Sequence, residues 1–118
     1  MHSIGVDIIE IARIKSAIAR WGGGFLHRIY TESELKLCRK KPSSLAARFA
    51  GKEAIIKALG KGISWREIEI LADPSGKPLV HLHGKAQNQA DSLGLDKLTI
   101  SLSHSKKYAI AFVVGETK

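Results

Sequence analysis

Apolar and polar positions change period several times along the chain, and each change marks an element. Residues 3–7 are short and apolar and predict a strand. Over residues 8–21, Ile11, Ile14, Ile18 and Trp21 recur at the three- and four-residue spacing of a helix, which Gly22-Gly23-Gly24 ends. Thr31-Glu32-Ser33-Glu34 reads as a capping box, in which the threonine and the glutamate satisfy each other's amides; a helix of about ten residues follows and Pro42 marks its end. Ser43 or Ser44 caps the next helix, which runs to Leu59 and stops at Gly60. Residues 67–72 and 79–83 alternate around Asp73-Pro74-Ser75-Gly76-Lys77 and predict a hairpin. Residues 84–93 predict a short polar helix, and residues 98–103 and 108–114 a second hairpin. The order strand, three helices, hairpin, helix, hairpin predicts an α+β fold, a mainly antiparallel sheet packed with helices.

Composition narrows this picture. A length of 118 residues fits one domain over residues 1–118, and 44% hydrophobic content builds its core without disulfides or a structural metal. The single cysteine, Cys38, has no partner for an internal disulfide, which fits a reducing compartment; three positions after Leu35 it reads as a core residue. Asp7, Glu10 and Arg13 interrupt the apolar run near the N-terminus, so no signal peptide is expected. No stretch approaches the roughly 18 apolar residues of a membrane span. The expectation is a soluble, cytoplasmic protein with no membrane partner. Nineteen Lys and Arg against eleven Asp and Glu leave +8, which calls for an acidic partner. Nucleic acid, an anionic surface, a phosphorylated substrate and an acidic protein all meet that description.

The helix over residues 43–59 carries the unusual chemistry. At about 100° per residue, Glu53 shares an arc with Ala46, Phe49, Ala50 and Ile56. A carboxylate there needs a partner, because burying it alone is costly. An ion pair with Lys57, one turn on, is the ordinary solution; a metal is the other. Asp7 ends the first predicted strand just after Gly5, and two carboxylates converging from strand and helix make a minimal Mg²⁺ site. Asp7 serves equally well as a cap for the segment that follows. Arg48, Lys52, Lys57 and His104 suit phosphate oxygens. Other constellations are poorer. His81 and His83 share one strand face without a third ligand at metal spacing, so a polar face is expected. Ser103-His104-Ser105 lacks a G-x-S-x-G elbow, and no P-loop occurs.

Gly5-Val6-Asp7 and Phe49-Ala50-Gly51-Lys52-Glu53-Ala54, with Lys57, resemble the phosphopantetheinyl transferases. The short length, Asp7-Ile8-Ile9-Glu10-Ile11-Ala12-Arg13-Ile14, Gly76-Lys77-Pro78 and Ser101-Leu102-Ser103-His104 resemble the trimeric holo-acyl-carrier-protein synthase branch. The match runs in one order over residues 4–114. Ala50 stands where the wider superfamily often carries a hydroxyl or thiol, a departure the synthase branch tolerates. The resemblance implies the 4'-phosphopantetheinyl transferase fold and transfer of 4'-phosphopantetheine from coenzyme A to a serine of apo-acyl carrier protein, with Mg²⁺, releasing adenosine 3',5'-bisphosphate. It implies that Asp7 and Glu53 bind the metal and that Lys57 contacts the coenzyme A diphosphate with His104 nearby. Arg48 is implied at the nucleotide end, with Gly76, Lys77 and Pro78 bordering the adenine, and the sites are implied to lie between subunits of a homotrimer. The proton of the attacking hydroxyl goes to Glu53 or to a water held by the metal or by Asp7; the sequence leaves these open.

The basic surplus then has a partner. Arg13 and Arg20 share a helix face with Ala17 between them, away from the stripe of Ile11, Ile14, Ile18 and Trp21, and Arg28 follows near Phe25 and Leu26. A cationic face with a little apolar surface suits the acidic helix of an acyl carrier protein. The rivals are a basic nucleic-acid-binding module without catalysis and a catalytically idle scaffold of the same fold. Aromatic content of 6% and the lack of a nucleic-acid-binding motif stand against the first.

Overall fold

Residues 2–117 are described by the computed structural model, and among them five strands form two antiparallel sheets. The chain runs β1 (His2–Glu10), α1 (Ile11–Trp21), α2 (Gly23–Ile29), α3 (Glu32–Cys38), α4 (Pro42–Leu59), a 3-10 turn (Trp65–Glu67), β2 (Ile68–Ala72), β3 (Pro78–Leu82), α5 (Gly84–Ser92), β4 (Leu95–His104) and β5 (Tyr108–Thr117). One sheet has the order β1-β5-β4, with Asp7 opposite Ala111 and Ser101 opposite Phe112; β2 and β3 form the other. The predicted α+β class and both hairpins are present.

Several boundaries move. β1 continues past Asp7 to Glu10, because the alternation holds: Gly5 and Ile9 are buried while Ile4, Val6 and Ile8 are exposed. The helical period starts only at Ile11, where α1 begins, so Asp7 lies within the strand and does not cap a helix. The glycine run ends α1 through Gly22 at φ 53° and then opens α2, an additional helix. α3 has seven residues, closed by the left-handed Arg39. α4 starts at Pro42, whose missing N–H costs nothing in a first turn; no side chain caps it, and Ser43 and Ser44 lie inside the helix.

α4 is the axis of the molecule. It packs on β1, β4 and β5 along one side and on α1, β2 and α5 along others, burying Leu45, Ala50, Ala54, Ile55 and Leu59. Two glycines permit the close approach to the sheets. A Cβ on Gly5 would stand 1.8 Å from the Ala54 carbonyl oxygen, and one on Gly51 would stand 2.6 Å from Ile70 Cδ1. The first contact presses β1 against α4 beside the segment that carries Glu53.

A buried ion pair ties α3, α4 and β2 together. Lys52 Nζ donates to Glu34 Oε1 at 2.7 Å, to the Ile68 carbonyl at 2.6 Å and to the Trp65 carbonyl at 2.9 Å, so its three protons have three acceptors. Glu34 also accepts the Thr31 amide at Oε1 and the Ile70 amide at Oε2. The predicted capping box is formed, and its glutamate also belongs to the core.

The outer face of the three-stranded sheet is apolar and bare. Ile4, Val6 and Ile8 of β1 lie opposite Val114, Phe112 and Ile110 of β5, and all but the half-buried Val114 are exposed.

Candidate active site

Asp7 and Glu53 reach one place from two elements. Asp7 leaves β1 on the same side as Gly5 and Ile9, the side packed on α4, and is half-buried. Lys57, on the last turn of α4, donates to Asp7 Oδ1 at 3.1 Å and to the Val6 carbonyl at 2.9 Å. Glu53, about one helical turn earlier, is also half-buried and accepts the Trp65 indole N–H at 3.3 Å through Oε1. Lys57 therefore pairs with the strand carboxylate, not with Glu53 along its own helix.

Both carboxylates line one open cleft of about 670 Å³, with Arg13, Arg20, Phe25 and Phe49 among its walls. Trp21 lines it too and is 60% exposed, so it leaves the buried stripe formed by Ile11 and Ile14, with the half-buried Ile18 beside it; the Arg20 guanidinium lies over its ring, 4.9 Å from the centroid. Arg13 and Arg20 thus stand beside the carboxylates, not on a remote face. Arg28 is exposed and its guanidinium is 5.9 Å from the Trp65 ring centre. Of the apolar docking candidates, Phe25 is half-buried and available, whereas Leu26 is buried in the core.

Other predicted residues lie elsewhere. Arg48 and His104 line a second cleft of about 360 Å³ with Ser43, Ser44 and Ser103, and Arg48 also donates through Nε to the Ile70 carbonyl at 3.3 Å. Gly76 and Lys77 are exposed in the β2–β3 turn and Pro78 starts β3. Asp73 shapes this turn: its Oδ1 accepts the Ser75 hydroxyl and the Ser75 and Lys77 amides, which hold the carboxyl below the usual carboxylate range. Neither the second cleft nor the turn lines the carboxylate cleft of the same chain. Lys52, grouped with the phosphate ligands from sequence, is sealed in the core with every donor engaged, and burial pulls its pKa below that of a free lysine. Cys38 is buried, and burial pushes its thiol pKa up, which leaves it a core residue without nucleophilic character.

The donor set fits Mg²⁺. Asp7 and Glu53 each have one hydrogen-bonded oxygen, and their second oxygens take no hydrogen bond among the described residues. Among the described residues, no third His, Cys, Asp or Glu gathers with them there. One or two carboxylates, completed by water and phosphate oxygens, is how proteins commonly hold this ion.

Two participants escaped the sequence reading. Trp65 lies in an aperiodic stretch after α4, and nothing local announces its bond to Glu53, 12 positions away. Glu34 announced itself only as a cap.

Residues 3–113 match the family model of the 4'-phosphopantetheinyl transferase superfamily. The chain belongs to that family. A holo-[acyl-carrier-protein] synthase of Dehalococcoides mccartyi is 56% identical, covering 95% of this chain and 96% of its own length. One from Herpetosiphon aurantiacus is 52% identical, with 94% and 95% covered. Among solved structures, the Helicobacter pylori holo-[acyl-carrier-protein] synthase in complex with coenzyme A superposes with a TM-score of 0.87 at 40% identity, covering 96% of this chain and 99% of that one. The Neisseria meningitidis synthase gives 0.88 at 36% identity, with 98% of each chain covered. The fold is that of the transferase family over nearly all of the chain.

Proposed function

We infer that this chain is a holo-[acyl-carrier-protein] synthase that moves 4'-phosphopantetheine from coenzyme A to a serine of apo-acyl carrier protein. The observation that carries the reading is the joining of Asp7 and Glu53 in one cleft beneath a cationic wall, in a chain of this family. The serine hydroxyl attacks the β-phosphorus of coenzyme A, the phosphorus–oxygen bond to the nucleotide breaks, and adenosine 3',5'-bisphosphate leaves. Mg²⁺, when held by Asp7 and Glu53, supplies neutralising charge to the diphosphate oxygens. Lys57 contributes a further positive charge there, with its ammonium already oriented by Asp7 and the Val6 carbonyl. Glu53, or a water held by Asp7, takes the hydroxyl proton. Arg13, Arg20 and Arg28, with Phe25, present the docking surface for the acidic carrier.

Arg48, His104 and the Gly76-Lys77-Pro78 turn complete the nucleotide end of a neighbouring chain's site, which accounts for their distance from the carboxylate cleft. The bare apolar face of Ile4, Val6, Ile8, Ile110 and Phe112 supplies the contact, and the assembly is a homotrimer working in the cytoplasm. Each chain acts as one transferase domain. No helix among the described residues is long and apolar enough to cross a membrane.

The test is incubation with coenzyme A and apo-acyl carrier protein, with and without Mg²⁺, followed by mass spectrometry of the carrier. A phosphopantetheine adduct that requires Mg²⁺ is expected. An unmodified carrier under all conditions would sink the reading. Light scattering across a dilution series tests the trimer, and a fully active monomer would overturn it.

A further inference from the structure

The bond from Trp65 to Glu53 joins the 3-10 turn to the carboxylate cleft, and its donor is held more firmly than its acceptor. Glu53 is half-buried at the cleft wall, on a side chain with several rotatable bonds. Trp65 is fixed by three contacts. Its carbonyl accepts from Lys52 Nζ at 2.9 Å, deep in the core. Its ring packs against Phe49 with centroids 6.1 Å apart and planes tilted by 31°. The Arg28 guanidinium lies near the same ring. The indole nitrogen is a donor only, so it fits a carboxylate oxygen and nothing that needs an acceptor. Through this bond Oε1 of Glu53 is engaged, while Oε2 takes no hydrogen bond among the described residues.

We propose that Trp65 is a positioning residue for the transferase reaction: its indole N–H fixes the Glu53 carboxylate so that the second oxygen is presented to the metal. Trp65 does not line the carboxylate cleft and so acts through Glu53, not on the substrate. Lys52 extends the arrangement inward, since the buried ammonium anchors the backbone from which the indole projects. The proposal rests on Glu53 being a magnesium carboxylate, as inferred above. Partners that orient a metal ligand from behind typically contribute about 10- to 100-fold in metal affinity or activity.

Trp65→Phe keeps the ring and its packing on Phe49 and removes only the donor. Calorimetric titration of Mg²⁺ into the coenzyme A-bound protein is expected to show about tenfold weaker binding in this variant, with an unchanged melting midpoint. At saturating Mg²⁺ its kcat returns towards that of the unaltered chain, and the KM for carrier protein stays the same. In the unaltered protein, the ¹⁵N-indole resonance that is missing from the Trp65→Phe spectrum is expected to shift as Mg²⁺ is added with coenzyme A. Equal Mg²⁺ affinity in a folded Trp65→Phe protein, or an indole resonance that ignores saturating Mg²⁺, overturns the proposal. If the variant does not fold, the resonance decides alone, assigned as the indole signal that persists in Trp21→Phe. Glu53→Gln, titrated alongside, separates the two levels. If it loses Mg²⁺ binding while Trp65→Phe does not, only the role of Trp65 fails. If it binds Mg²⁺ like the unaltered chain, the metal reading fails and the proposal falls with it.

Discussion

Lys52 and Lys57 stand five positions apart on α4, and each meets a carboxylate, yet their surroundings give them opposite work. The side chains of Lys52 and Glu34 are 0% exposed, and every proton of the ammonium is spent on a protein acceptor. The Lys57 side chain is 57% exposed and that of Asp7 20%, so this pair keeps capacity for something outside the chain. A closed pair fixes geometry and an open pair is available for chemistry. The contrast comes from position on the helix: Lys52 faces α3, the 3-10 turn and β2, which bring a carboxylate and two carbonyls, while Lys57 emerges at the rim where β1 passes.

Breaking the closed pair has the largest expected effect on the fold. Lys52→Met leaves the Glu34 carboxylate buried without its ion partner, and removal of one member of a buried pair typically costs about 3–5 kcal/mol. Denaturant unfolding is expected to show a loss of that size, and a midpoint unchanged from the unaltered chain would mean that the core tolerates a lone Glu34. On the open side, Asp7→Asn and Glu53→Gln are expected to lower transfer by about 100- to 1,000-fold with the melting midpoint preserved, because a neutral amide is a poor ligand for so hard a cation and the lost charge stabilisation is of that order. Near-normal rates at limiting Mg²⁺ in either variant would remove the shared metal site.

Lys57→Ala sharpens the contrast with Lys52. It is expected to cut the transfer rate by about tenfold while shifting stability little, since an exposed pair is worth only about 0–1 kcal/mol. A large fall in stability with unaltered kinetics would reverse the assignment. Arg13→Glu combined with Arg20→Glu is expected to raise the KM for carrier protein by about tenfold and that for coenzyme A by less, with the effect shrinking in salt as charges are screened over about 10 Å at 0.1 M. Equal changes for both substrates would assign these arginines to the nucleotide.

The smallest effect concerns Asp73, a well-bonded carboxylate in the β2–β3 turn. Its folded pKa lies below the ordinary 3.8, so its contribution to stability is present above 3.8 and is lost as pH falls through the lowered value. Asp73→Asn is therefore expected to unfold slightly earlier than the unaltered chain at neutral pH and to match it in strong acid. Denaturation midpoints at the two pH values check this.

The legible parts of this molecule were those whose cause is local. Thr31 and Glu34 lie one turn apart, so their reciprocal cap could be read directly, and the β2–β3 hairpin followed from alternation around Asp73-Pro74-Ser75-Gly76-Lys77. Ile8 and Ile9 fit either period, and only pairing with Ile110 and Ala109 across the sheet keeps them in β1. Lys52 resembled a phosphate ligand because the sequence does not show that the 3-10 turn and β2 each return a carbonyl to its ammonium. Glu53 was legible as an oddity on an apolar arc, but its donor Trp65 was not, since that contact depends on how the chain turns after Gly60. The apolar residues around α4 are used within the chain, and it is the outer face of β1 and β5 that stays bare.

The separation of the carboxylate cleft from the Arg48–His104 cleft has a genetic consequence. When each working site takes its carboxylates from one chain and its nucleotide contacts from the next, two defective alleles can repair one another. Co-expressed chains carrying Asp7→Asn and Arg48→Ala would assemble at random, and about a quarter of their interfaces would join an intact carboxylate half to an intact nucleotide half. A cell holding either allele alone would fail to charge its carrier protein, while a cell holding both would grow.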